Sequence, residues 1–98
     1  MDLRYIRNPD VVYRPEGLDG AILFDPDSAR VQVLNLTGAY VWELLDGAQS
    51  LDAICAALAE RFDGVPPDGA TLRGEVESFV RLLSQLGFAA PVEEAGPA

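Results

Sequence analysis

Residues Val31 to Gly47, VQVLNLTGAYVWELLDG, run a short strand directly into a capped helix and stop that helix on glycine. Val31 to Leu34 is β-branched and alternating, which suits a half-buried strand. Asn35 or Thr37 can cap the first turn of the helix, and Asp46-Gly47 ends it. Val41, Leu44 and Leu45 lie along one side of that helix, with Tyr40 and Trp42 beside them. A helix this apolar must be covered over most of its circumference, so the rest of the chain has to supply the cover.

Upstream, Asn8-Pro9-Asp10 is a turn signal closing a polar lead-in, and Val11 to Arg14 is a short strand. Ala21 to Phe24 is a second strand, continuously apolar and therefore buried on both faces. Asp25-Pro26-Asp27-Ser28 reverses the chain into Arg30 to Leu34, with proline at the second turn position and aspartate before it as a side-chain acceptor. Three strands joined by short turns make an antiparallel meander whose third strand is an edge. That strand holds no lysine, proline or glycine to blunt it, so either the domain covers it or another chain pairs with it.

Downstream, Ser50 caps a second helix with Leu51, Ile54, Cys55, Leu58 and Phe62 at helical spacing, ended by Asp63-Gly64. Two prolines stiffen the loop Val65 to Gly69. A third helix runs from about Ala70 to Leu86, with Leu72, Val76, Phe79, Val80, Leu83 and Leu86 inward and Arg73, Glu77 and Arg81 outward. Trp42 and Phe79 are expected as core anchors. Gly87 stands just past the last turn, where Phe88 can fold back on it. The fold class expected is α+β and winged-helix-like, a three-stranded antiparallel sheet followed by three helices. Residues 1–10 are the lead-in, 11–89 the folded domain and 90–98 a flexible tail.

At 98 residues the chain has room for one core. No run approaches the roughly 20 apolar residues that span a bilayer, and MDLRYIRNPD lacks a secretory pattern, so a cytoplasmic protein is expected, with no membrane partner. One cysteine and no histidine exclude a disulfide, a thiolate zinc cluster and the commonest general base. Cys55, on the apolar stripe, reads as a small core residue. Asp25-x-Asp27 opens like a calcium loop but continues Ser28-Ala29-Arg30, without the glycine and bidentate glutamate such a loop needs. Asn35-Leu36-Thr37 matches the glycosylation pattern and reads instead as a helix start. Glu75 and Glu77 diverge on a helix, and Glu93-Glu94 falls in the tail, so no carboxylate pair is placed for acid and base work. Neither catalysis, a cofactor nor a metal is expected.

The ordered set of pieces resembles the PqqD family, small leader-peptide-binding proteins also called RiPP recognition elements. The pieces are the three-strand opening, Leu34-Asn35-x-Thr37-Gly38-Ala39 into the first helix and Trp42-Glu43-Leu44-Leu45-Asp46-Gly47 out of it. Ser50-Leu51-Asp52-x-Ile54 and Phe79-Val80-x-x-Leu83-x-x-Leu86-Gly87-Phe88 complete it, so that the likeness runs from Arg7 to Phe88. It implies a peptide chaperone for ribosomally made, modified peptides. Such a protein presents a precursor's leader to a modifying enzyme, a radical SAM protein in the pyrroloquinoline quinone pathway. The implied site is Arg30, Val31, Gln32, Val33 and Leu34, which take the leader as a further antiparallel strand, faced by Val76, Phe79, Val80 and Leu83. The opening Asn8-Pro9-Asp10 and the turn Phe24-Asp25-Pro26-Asp27 depart from members acting in quinone synthesis, which points to another peptide-modification system.

Two other functions fit the same outline. A DNA-binding winged helix needs basic or amide side chains on its recognition helix. The second helix offers only Arg61 against Asp52 and Glu60, the net charge is −9, and the seven basic residues, all arginines, are scattered singly, so no nucleic-acid partner is expected. The other is a dimerisation module, a homodimer joined through the bare third strand.

Overall fold

The computed structural model describes residues 3–92. Two small antiparallel sheets and three helices make up the α+β fold. One sheet is the expected meander: β2 (Val12–Pro15), β3 (Ala21–Asp25) and β4 (Arg30–Leu34), with β3 in the middle and β4 at an edge. Helix α1 (Leu36–Leu44) follows directly, then α2 (Leu51–Arg61) and α3 (Gly69–Gln85).

The second sheet corrects the expectation of a single sheet followed only by helices. Residues expected as a lead-in form β1 (Arg4–Arg7), the centre of a sheet ordered β5-β1-β6. Helix α1 ends at Leu44 rather than at Asp46-Gly47, because Asp46–Ser50 leaves it as β5. The expected tail begins as β6 (Ala89–Pro91), and its remainder, 93–98, lies outside the described residues. These strands carry weak local signals: DGAQS and AAP are poor strand formers, and the pairing joins opposite ends of the chain. Tyr5 of β1 is buried, and the Arg7 guanidinium donates to the carbonyls of Trp42 and Glu43 at 3.1 and 2.7 Å, satisfying the open end of α1.

The caps settle the helix starts. Asn35, not Thr37, caps α1, its Oδ1 accepting from the Gly38 N–H at 2.7 Å. Ser50 Oγ accepts from Ala53 N–H at 3.1 Å to start α2, and Asp68 accepts from Ala70 N–H at 3.1 Å and the Thr71 hydroxyl at 2.8 Å to start α3. Helix α3 ends as expected. Gly87, at φ +85°, donates to Ser84, and the Phe88 N–H donates to Leu83, which turns the Phe88 ring into the core.

That core lies between the inner face of the meander and the helices: Leu23 and Leu34 from strands, Val41 and Trp42 from α1, Ile54 and Leu58 from α2, and Val76, Val80 and Leu83 from α3. Trp42 is buried as expected. Cys55 packs at the margin of this core, half-buried, and burial pushes its thiol pKa up.

Gly20 holds the start of β3 against the β4–α1 junction. Its φ is +100°, and a Cβ there would lie 1.9 Å from the Leu34 carbonyl oxygen. Gly20→Ala is therefore expected to cost about 3 kcal/mol in urea unfolding. Gly17→Ala is the control: the same left-handed backbone, φ +62°, but open space around the new carbon, and a cost of about 1 kcal/mol.

Candidate functional site: the β4 edge and the α3 groove

Of the two edges of the meander, β2 is blunted by Arg14 and Pro15, whereas β4 carries neither charge nor proline after Arg30. Strand alternation sends Gln32 and Leu34 to the inner face, opposite Leu23 and Ala21. Val31 and Val33 go to the outer face opposite Phe24 and Ile22, and are 58% and 67% exposed. The Val33 carbonyl accepts from the side chain Nε2 of Gln32 at 3.2 Å, so it points out of the ladder. In an antiparallel pair the N–H and C=O of one residue face the same way, so the Val33 N–H also points outward.

Helix α3 runs antiparallel to this edge. At one end the Arg30 guanidinium donates to the Leu86 carbonyl at 2.9 Å, and at the other Val33 and Leu34 share a groove with Glu75, Val76 and Phe79. The groove holds about 540 Å³, closed at its far end by α1 and the Gly64–Pro66 loop. A Cβ on Gly38 would stand 3.3 Å from the Phe79 ring, so glycine lets the start of α1 approach it.

Of the residues expected at the site, Arg30, Val31, Gln32, Val33 and Leu34 form the edge strand, and Val33, Leu34, Val76 and Phe79 line the groove. Val80 and Leu83 do not reach it. Both are 0% exposed and belong to the core, because α3 turns its most apolar stripe straight inward. Phe79 is likewise corrected, from core anchor to a half-buried side chain at the margin of that stripe. Sequence reasoning missed Glu75, which lines the groove. Its spacing from Phe79 was the available signal, since the two share one helix face beside the buried stripe; Leu82, 44% exposed, continues that face beyond the groove.

A second opening, of about 580 Å³, lies between the β1–β2 connection and the end of α1. There the Tyr13 hydroxyl donates to Glu43 Oε2 at 2.7 Å, and burial, then the Glu43 carboxylate, pushes its pKa from the usual 10 up to about 12. The fold thus favours neutral Tyr13: its contribution to stability is complete below pH 10 and is lost as pH rises towards 12. In an ultraviolet titration of phenolate, Tyr13→Phe should remove a step near pH 12. Among the described residues, no cluster of three or more histidine, cysteine or carboxylate side chains could hold a metal, and no helix is long and apolar enough to cross a membrane.

Comparison with known proteins gives a consistent answer. The chain of TbiB1 in complex with the TbiA(beta) leader peptide superposes with a TM-score of 0.71 at 19% identity, covering 95% of this chain and 98% of that one. Lasso peptide synthetase B1 complexed with the leader peptide gives 0.73, also at 19% identity, covering 90% and 99%. At that identity the likeness is one of fold. No curated protein matches the sequence. The family described as Coenzyme PQQ synthesis protein D (PqqD) matches residues 20–89, which is more than half of the sequence and includes β4, the groove and all three helices, and the chain belongs to that family.

Proposed function

We propose that this protein binds the leader of a ribosomally made precursor peptide and presents it to a modifying enzyme. The leader adds as an antiparallel strand to β4, with alternate side chains entering the groove beside α3. The observation that carries this reading is the unblunted β4 edge, whose Val33–Leu34 end opens into a groove that Val76 and Phe79 of α3 also line. Main-chain bonds supply affinity in such strand addition, and pockets for alternate side chains supply specificity. Both structural neighbours are complexes with leader peptides, which supports the same role here. The enzyme served is one of peptide modification, a radical SAM protein being the partner the family resemblance suggests.

Titrating isotopically labelled protein with a candidate leader and following amide shifts tests the proposal. The expected result is perturbation of Arg30 to Leu34 and of the α3 face around Phe79. Shifts confined to α2 or the second sheet would overturn strand addition. The competing use of the same edge, pairing with a second copy, predicts a dimer that the leader dissociates, and light scattering with and without peptide distinguishes the two.

A further inference from the structure

The groove is not electrically uniform along its length. Glu75 lines the end beside Leu34 and has no ion pair or hydrogen bond among the described residues. Arg30 does not line the groove but stands beyond it, at the other end of the β4–α3 cleft, held there by its bond to Leu86, with the rest of its guanidinium fork unpartnered among the described residues. Between them the α3 face presents Phe79 and Leu82, both apolar. Asp25, the register partner of Arg30 in the meander, is occupied by its own turn, accepting from the Asp27 N–H and the Ser28 hydroxyl at 3.0 Å each.

From this arrangement, and resting on the strand-addition reading, we propose that Glu75 and Arg30 set the polarity and register of the bound leader. A strand antiparallel to β4 starts beside Leu34 and Glu75 and finishes beside Arg30. The leader segment this groove selects therefore has a basic residue first, apolar side chains at alternate positions next, and an acidic residue last. Glu75 and Leu86 are eleven positions apart, a helical rise of about 16 Å. An extended chain covers that in about five residues, and with both charges on the groove side and two apolar residues alternating between them the basic and acidic residues stand about six apart. The two charges also discriminate direction. A peptide of the same composition with the charges exchanged would set its carboxylate against Glu75 and its cation against Arg30, like charges meeting at both ends.

Selection from a display library of random short peptides tests this directly, with the full chain as bait and Glu75→Lys in parallel. Glu75 supports no other side chain, so the variant keeps the fold. Wild-type protein should enrich Lys or Arg ahead of the apolar pair and Asp or Glu behind it. Glu75→Lys should enrich an acidic residue at the first position and keep the apolar pair. Synthetic versions with the two charges exchanged should bind wild type about fivefold more weakly, the range of a well-placed exposed ion pair, and on Glu75→Lys, where both ends are cationic, that preference should disappear. If enriched peptides shift the β4 amides yet show no charge order, or if Glu75→Lys selects the same sequences, the polarity assignment is wrong while strand addition stands. If enriched peptides leave Arg30 to Leu34 unshifted, strand addition itself fails and this inference with it.

Discussion

Proline at Val33 should abolish leader binding while the domain stays folded, and proline one residue earlier, at Gln32, should unfold the meander. The two residues differ only in which way their main-chain groups point. The Val33 carbonyl takes a bond from the Gln32 side chain, off the ladder, so Val33 faces Ile22 as a pair without ladder bonds, and Gln32 faces Leu23 as a pair that exchanges both. Proline removes an N–H. At Val33 the lost donor is the outward one, which the fold does not use and an incoming strand needs, and an edge strand tolerates the ring there. At Gln32 the lost donor leaves the Leu23 carbonyl unpaired in the sheet, at a cost of about 1 to 3 kcal/mol before any strain from the ring. Thermal melts and leader titrations on both variants check this. Two variants that behave alike would mean that the ladder is in the other phase, or that the leader does not use this edge.

The second large effect separates stability from binding among the phenylalanines. Phe88→Ala should cost about 3 to 5 kcal/mol, because the ring is 0% exposed, folded back through the turn after α3, and its removal leaves a cavity beside Leu83. For a domain whose total stability is about 5 to 15 kcal/mol, that brings it near unfolding at ambient temperature. Phe79→Ala should cost less, about 1 to 2 kcal/mol, since only part of the ring leaves water on folding. Its larger effect should fall on the leader, because Phe79 lines the groove. Urea unfolding and peptide affinity measured on the same two proteins decide it. Equal destabilisation by both would return Phe79 to the core.

Helix existence and the edge strand were legible from local chemistry. Asn35, Ser50 and Asp68 each accept a first-turn N–H, and Gly87 with Phe88 closes α3 through bonds to Ser84 and Leu83. Such signals act over a few residues, so the sequence carries them whole. The β4 edge was legible because the hairpin through Asp25 to Arg30 is also local, and a three-strand meander leaves only its outer strands unpaired.

Depth was not legible. The apolar spacing of α3 names an inward stripe, but Val80 and Leu83 at its centre are sealed while Phe79 at its margin meets the groove. That difference is set by how α3 packs on α2 and β6, a relation between elements that meet only in the folded chain.

By itself, then, the sequence determined the three helices and the end of α3, the meander and its bare edge, and the apolar face that had to be buried. Tertiary structure alone decided the second sheet and the groove. Strands β5 and β6 have little propensity of their own, and β1 is only four residues long; they exist because pairing across the whole chain satisfies their main-chain groups, as Arg7 N–H finds Leu45, Asn8 N–H finds Phe88 and Val92 N–H finds Arg4. The groove likewise belongs to no segment. It is the space left between the end of β4, α1, the 64–66 loop and α3 once the helices have packed, and short-range patterns carry no record of a distance between elements that meet only in the folded chain.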